Sequence, residues 1–294
     1  MNQIEVKSVL NKQKRRDDWF LTDYSVNPYS GCSVNCSYCY IRGSKYGENM
    51  ARTFSVKSNA VEVMERQLRR RAEKKEYGII GLASATDPYV AIEEKLAITR
   101  QILQVILNYR FPVSIGTKTS MVLRDLDLLK AIDRAAILPR GLPDMVNRGS
   151  TIAVSISTLD EQLAKILEPG AASPRERLEV VRICTGEGLF AGVDFIPVLP
   201  FLSDSEERLD EMIQAAKEYG AQFVFVGGLT LFGKNPSDSK TLYFRFLERH
   251  YPDLLPKYSS MYKDFYAPPR SYEATLESTA RTLCKRHGIR YRFS

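Results

Sequence analysis

The chain has 294 residues, of which 44% are hydrophobic and 26% charged, and a formal net charge of +7. These values exclude a collagen-like or wholly disordered chain. The length allows either two modest domains or one larger α/β unit, with core enough to fold without disulfide staples. No run approaches the roughly 20 apolar residues of a membrane span. Residues 1–7 hold no apolar signal-peptide core, so a cytoplasmic location with no membrane partner is expected.

Short β-like runs alternate with longer helical ones, a pattern that predicts a parallel α/β fold. A polar arm leads to a first strand at 24–29, which runs into a cysteine-rich loop. An amphipathic helix follows over 58–75, with Ser58 as its cap. Then come a strand at 77–83, a helix at 92–109, a strand at 111–117 and a helix at 123–136. A Pro- and Gly-bearing loop insertion occupies 138–148. Beyond it lie a strand at 151–157, a helix at 176–185, a strand at 192–199, a helix at 205–218 and a strand at 222–227. About six βα units make a curved sheet or incomplete barrel, two short of a closed eight-stranded one. After Leu231 tyrosines and prolines dominate, with a final helix over 272–287.

Basic runs at 12–16, 66–75 and 285–292 suit a polyanion, which makes a nucleic acid a candidate partner. Glu62, Glu65, Glu73 and Glu76 interleave with the middle run, so a solvated helix face is the plain alternative.

Of five cysteines, Cys32, Cys36 and Cys39 fall in one loop as C-x-x-x-C-x-x-C, which in a reducing compartment reads as metal ligation or redox chemistry. Three thiolates this close can hold three irons of a [4Fe–4S] cube. No fourth cysteine is near, so one iron is left open for a small molecule. Zinc is the competitor, but a structural zinc site takes four ligands. His250, His287, Cys184 and Cys284 lie far off in sequence, and both cysteines read as buried small hydrophobes.

The cysteine motif, with Tyr38 before its last cysteine, resembles the signature of the radical S-adenosylmethionine (SAM) enzymes. Asn27-Pro28-Tyr29-Ser30-Gly31 before it and Tyr40 after it are similar to the spore photoproduct lyase-like subgroup. So are Ser84-Ala85-Thr86-Asp87-Pro88-Tyr89, Thr117-Lys118-Thr119, Ser155 with Ser157, Glu168-Pro169 with Arg175 and Arg177, and Ile196-Pro197.

The resemblance implies a partial (β/α)6 TIM barrel over 24–232. An N-terminal arm at 1–23 precedes it, and a helical, Tyr-Pro-rich extension at 233–294 packs on it. It implies a [4Fe–4S] cluster on Cys32, Cys36 and Cys39, and SAM as the second cofactor. Reductive cleavage of SAM would yield a 5′-deoxyadenosyl radical that takes hydrogen from a substrate. A reductant such as flavodoxin or ferredoxin is the implied electron source.

Site roles follow from the same resemblance, each beside a plainer reading. Ser84 and Asp87 would hold the amino group of SAM, or form a turn and helix cap. Lys118 would meet the methionyl carboxylate, or snorkel to the surface. Ser155 and Ser157 share a strand face and would bind ribose or carboxylate, or bond locally. Pro197 would lie near the adenine, or mark a bulge or edge strand. Tyr38 would pack over adenine or cluster. Glu168 and Arg177 would pair, with Arg177 also suited to the cofactor carboxylate. Asp194 would face substrate or sit as a capped polar core residue. The tyrosines after Leu231 would stack bases or cap the barrel.

Spore photoproduct lyase places a hydrogen-donating cysteine where this chain has Ser84. A serine O–H bond is too strong for that role, which argues against thymine-dimer reversal by that route. The resulting reading is a radical SAM enzyme acting on a nucleic acid, with a peptide or small-molecule modifier as alternative. A non-catalytic metal-binding, nucleic-acid-binding module is the reading from another class.

Overall fold

A computed structural model describes residues 2–44, 47, 54–82, 84–142 and 147–292. Its strands are β1 (Asn2–Ile4), β2 (Leu10–Lys12), β3 (Tyr24–Val26), β4 (Tyr29–Ser30), β5 (Ser55–Lys57) and β6 (Ile80–Leu82). They continue as β7 (Val113–Thr117), β8 (Ser150–Ser155), β9 (Phe190–Val198), β10 (Phe223–Gly228) and β11 (Arg290–Tyr291). The helices are α1 (Ala60–Glu73), α2 (Glu93–Leu96), α3 (Ile98–Asn108), α4 (Leu126–Ala135) and α5 (Glu161–Leu167). After these come α6 (Pro174–Gly186), α7 (Glu206–Glu218), α8 (Ser239–His250), α9 (Leu255–Met261) and α10 (Arg270–Arg286).

The main sheet runs in the order β11-β10-β9-β8-β7-β6-β3-β2 and does not close on itself. Every pairing from β3 through β11 is parallel, and only β2 joins its neighbour antiparallel. This is the expected partial barrel, with β2 and β11 added at the two edges. The second sheet, β1-β5-β4, ties the N-terminal arm down beside the cysteine loop.

Register sets what each face of the sheet carries. Ala153, Gly192 and Phe223 lie side by side, and Ser155, Asp194 and Phe225 form the next row up. In-register residues on neighbouring strands share a face. The lower row belongs to an apolar cluster of Ala153, Phe190 and Phe223, covered by Phe20 and Leu21 of the arm. The concave face is therefore plugged at the bottom and polar near the top. The convex face carries Ile152, Val154, Val193, Phe195 and Val224, all buried under the helices.

Several expected elements differ in extent or number. Ser58 does not cap α1; Asn59 precedes that helix and makes no side-chain cap bond. The helix expected over 92–109 breaks at Ala97, whose φ of 51° is left-handed, because the Glu93 carboxylate captures the backbone N–H of Thr99 and Arg100. The segment expected as a helix from 123 opens with a 3₁₀ turn at Ser120–Asp125. α5, α8, α9 and β11 were not anticipated. Pro143 and Ala83, within the expected loop and second strand, lie outside the described residues.

α6 begins at Pro174, not at 176, because Ser173 caps it. Ser173 Oγ accepts from the N–H of Glu176, and the Glu176 carboxylate accepts from the N–H of Ser173, with Pro174 opening the first turn. Ser173→Ala is expected to lower unfolding free energy by about 1 kcal/mol. Urea titration of the purified protein checks it, and an unchanged midpoint would mean that this cap contributes nothing.

Candidate active site at the mouth of the barrel

The cysteine loop follows β4 and is braced from several elements. Gly31 adopts a φ of 90° as the chain leaves the strand, a value glycine accepts freely. Thr86 Oγ1 donates to Gly31 O at 2.7 Å, and the N–H of Ala91 donates to Ser33 Oγ at 2.9 Å. On the other side, Ser37 N donates to Leu167 O and Gly170 N to Val34 O. A Cβ on Gly170 would run into Ser33 O, so only glycine lets the two segments close up. Beneath the loop, Tyr29 hydrogen-bonds to buried Glu93, which Arg124 reaches at 2.7 Å.

Cys36 is buried, and Cys32 and Cys39 are half-buried. Burial pushes the Cys36 thiol well up, with Lys118 pulling down against it and Glu168, Cys39 and Cys32 adding to the rise. Burial also raises Cys32, beside Asp87 and Cys39, and Cys39, which the N–H groups of Ile41 and Arg42 oppose. The Cys36 thiol thus feels the charge of both other loop cysteines, and Cys32 that of Cys39. Among the described residues, no three His, Cys, Asp or Glu side chains converge as a single metal ion requires. A cube spreads its thiolates over separate irons, so the spacing and the all-sulfur donor set fit a three-cysteine cluster better than zinc. Its positive core would hold these thiols ionised. Cys184 and Cys284 sit in the helix–sheet core, each pushed to about 12 by burial, and belong to the packing. His287 faces Asp210 at 2.8 Å and His250 stacks on Phe246, so neither serves the loop.

A second group converges on Glu168, which follows α5. Lys118 Nζ donates to Glu168 Oε1 at 3.0 Å and to Ser155 Oγ at 2.7 Å. Ser157 Oγ and the Tyr38 hydroxyl donate to the same oxygen. Arg177 Nη2 lies 2.7 Å from Glu168 Oε2, an ion contact out of hydrogen-bond alignment, and its Nη1 donates to Ser155 O. Burial pushes Glu168 up, but Lys118, Arg177, Tyr38 and Ser157 outweigh it and hold the carboxyl at about 2. Three of the expected site residues, Tyr38, Lys118 and Ser157, thus meet on one carboxylate whose central place sequence reasoning missed, and Ser155 joins them through Lys118.

Other expected residues sit around this hub. Asp87 is buried, and its carboxylate accepts from Thr117 Oγ1, Lys118 N and Tyr89 N, which locks the end of β7. Ser84 stands apart on the exposed rim; its Oγ accepts from Asn27 Nδ2 and its carbonyl from the Tyr40 hydroxyl. Pro197 falls at an irregularity in the ladder, where β9 advances from Phe195 to Val198 while β10 advances from Val226 to Gly228. That bulge leaves Ile196 O to accept from Ser155 Oγ at 2.9 Å. The later tyrosines Tyr243, Tyr258 and Tyr262 are buried in the cluster that holds Val34, Cys36 and Tyr38, so α8 and α9 pack behind the loop. They cap the barrel and are not free to stack bases. Phe265 and Tyr266 remain exposed.

The basic runs are partly paired, while Lys12, Lys14, Arg70, Lys74, Lys75, Lys285 and Arg290 are in no ion pair among the described residues. Arg66, Arg69 and Arg71 pair with Glu62, Glu65 and Glu76, Arg16 with Asp23, and Arg286 with Glu206 and Asp210.

The family model of the radical SAM superfamily matches residues 26–213, from β3 into α7. An uncharacterised protein of Mycobacterium tuberculosis H37Rv is 31% identical over 269 residues, covering 89% of this chain and 74% of that protein. One from Methanocaldococcus jannaschii is 28% identical, covering 68% of this chain and 70% of the other. Among solved structures, spore photoproduct lyase complexed with dinucleoside spore photoproduct superposes with a TM-score of 0.68 at 16% identity, over 98% of this chain and 80% of that one. A variant of that lyase with bound SAM and the photoproduct gives 0.64 at 18% identity, over 92% and 76%. These likenesses extend to the fold. Among the described residues no helix is long and apolar enough to cross a membrane.

Proposed function

The chain belongs to the radical SAM superfamily, an enzyme with a [4Fe–4S] cluster and SAM as cofactors, and from that premise we propose that Cys32, Cys36 and Cys39 hold the cluster and Lys118 receives the carboxylate of SAM. When bound, the two cofactors supply one-electron cleavage of SAM to a 5′-deoxyadenosyl radical for hydrogen abstraction. The observation that carries the reading is the meeting of Tyr38, from the cysteine loop, and Lys118, from the barrel, on Glu168. It joins the cysteine loop to the polar upper ends of the barrel strands, a coupling that a passive metal module has no need of.

The chain's own residues then divide the work. Lys118 has three N–H donors and spends two, on Glu168 and Ser155, so one stays available for a carboxylate. Asp87 fixes the Lys118 backbone, and Glu168, held ionised by Arg177, keeps the ammonium at the rim. Ser84 and Tyr40 line the exposed side of the loop, where the amino group of SAM is placed. In this reading Tyr38 and Pro197, both buried, stand nearest the adenosyl part. Phe20 and Leu21 close the barrel floor against water, which a reactive intermediate requires.

A reductant of the flavodoxin or ferredoxin type serves as electron source in this reading. For the substrate, Arg66, Arg69 and Arg71 are engaged with carboxylates, which makes the middle basic run a weaker phosphate track than its sequence suggests. We therefore place substrate contacts on the concave face. A serine at 84 in place of a hydrogen-donating cysteine sets this enzyme's reaction apart from thymine-dimer reversal.

Lys118→Ala is expected to weaken SAM binding by about 1–3 kcal/mol, the worth of a charged hydrogen bond, while the iron–sulfur absorbance persists. Equilibrium dialysis with labelled SAM on the reconstituted protein measures it. Unchanged affinity would remove Lys118 from the cofactor site.

A further inference from the structure

Two buried donors of the cysteine loop have no acceptor. Arg42 Nε and Ser37 Oγ are both shut away from water, and neither hydrogen-bonds to anything among the described residues. An N–H buried without a partner costs the fold stability, so each such group calls for an explanation. Arg42 lacks a counter-charge as well, since no ion pair among the described residues includes it.

The chain around Arg42 is fixed. Its N–H donates to Cys39 O at 2.9 Å, and Ser239, the first residue of α8, donates to Arg42 O from N and Oγ at 3.4 and 3.2 Å. From that anchor the side chain reaches back along the loop, where Nη2 donates to Oδ1 of exposed Asn35, the residue before Cys36. Nε therefore lies within the span from Cys39 to Asn35. Burial raises the Cys39 thiol, and besides the N–H groups of Ile41 and Arg42 the Arg42 charge opposes that rise, so the guanidinium is within electrostatic reach of this sulfur. Lys118, the other cation near these thiols, is already held by Glu168 and Ser155. Thiolate and sulfide sulfurs accept hydrogen bonds and donate none, which matches an orphaned N–H beside a hydroxyl free to turn.

We propose that Arg42 donates from Nε to sulfur at the Cys39 corner of the cluster and thereby raises the potential at which the cluster takes up its electron. This rests on the reading that Cys32, Cys36 and Cys39 hold that cluster. With three thiolates the cluster is anionic, and reduction adds one negative charge while no bond of the protein forms or breaks. A fixed cation and its N–H stabilise the reduced form more than the oxidised one. Hydrogen bonds to the sulfurs and nearby charge are the means by which a protein sets such a potential. The consequence is a cluster more easily reduced by a carrier of the flavodoxin or ferredoxin type.

The test is a redox titration without SAM, following the electron paramagnetic resonance signal of the reduced cluster in reconstituted wild type, Arg42→Gln, Arg42→Lys and Asn35→Gly. Arg42→Gln is expected to hold wild-type iron and to make reduction about tenfold less favourable, a midpoint about 59 mV more negative for one electron. Arg42→Lys keeps the charge without Nε and is expected to shift the same way by a smaller factor. It decides the matter if the glutamine variant takes up less iron. Asn35→Gly removes only the Nη2 acceptor, and glycine accepts the φ of 56° at this position. Its midpoint is expected to stay at the wild-type value. A wild-type midpoint in either arginine variant at full iron content would overturn the proposal. So would a shift in Asn35→Gly as large as that of Arg42→Gln, because the arginine would then act only by bracing the loop. Wild-type protein that takes up no cluster, or Cys36→Ala that keeps one, would instead overturn the three-cysteine reading itself, so the two failures are separable.

Discussion

Cys36→Ala is expected to abolish iron–sulfur absorbance and SAM cleavage together. Cys36 is the most buried of the three loop cysteines, packed with Val34 and Tyr38 against Tyr243, Tyr258 and Tyr262. A cube held by three thiolates has no reserve ligand, and neither Cys184 nor Cys284, both inside the helix–sheet core, can replace the missing one. Alanine leaves the surrounding packing nearly unchanged, because the lost atom is one sulfur. The variant should therefore fold and express as wild type does. Anaerobic reconstitution with iron and sulfide, followed by visible spectroscopy and product analysis, measures both losses. Full turnover in this variant would remove Cys36 from the cluster.

The second large effect belongs to Glu168. Arg177 is 0% exposed and Glu168 is 2% exposed; Glu168 is the ion partner of Arg177 and also pairs with Lys118. Breaking such a pair from one side strands a buried charge, at a cost of about 3–5 kcal/mol. Glu168→Ala also releases Lys118, Ser157 and Tyr38. Urea unfolding of Glu168→Ala should show a loss of that order, and the cysteine loop should loosen with it. Replacing both partners, Glu168→Gln with Arg177→Met, should restore part of the stability, since the fully buried guanidinium is gone and only the partly exposed Lys118 is left without its counter-charge. A loss below about 1 kcal/mol in the single variant would mean that water or another group already compensates Arg177.

Much of this architecture is legible in the chain itself. The alternation of β-like and helical runs anticipates the six parallel strands from β3 to β10, because each buried strand reads as a short apolar run between turns. The cysteine loop is visible because its three residues lie within eight positions. What escapes is whatever depends on distance along the chain. Glu168 acquires its place only because β7, β8, α6 and the cysteine loop all close on it, and nothing local announces that. α5 is only seven residues long, although Asp160 ahead of Glu161-Gln162 caps it through two N–H groups and was a usable signal. β11 is two residues long and exists through its pairing with β10. The charge runs are only partly readable for the same reason: their partners on neighbouring turns and elements are what decide which cations are paired.

Asp194 shows the opposite case, a residue whose strand position is plain in the sequence while the fact that its Oδ1 has no hydrogen-bond partner among the described residues is not. Strand alternation puts it on one of two faces, and only the register with Ser155 and Phe225 selects the concave one. The bulge at Ile196–Pro197 has a similar standing. Proline within a strand announces an irregularity, and the structure turns that irregularity into a free carbonyl that fixes Ser155.

The central claim is that this barrel couples a three-cysteine cluster to SAM. It is tested most directly by reconstituting the wild-type protein anaerobically, reducing it with dithionite in the presence of SAM, and assaying for 5′-deoxyadenosine. The account expects about four irons and four sulfides per chain and formation of 5′-deoxyadenosine that depends on reduction. Binding of zinc alone, with no affinity for SAM and no 5′-deoxyadenosine, would contradict it.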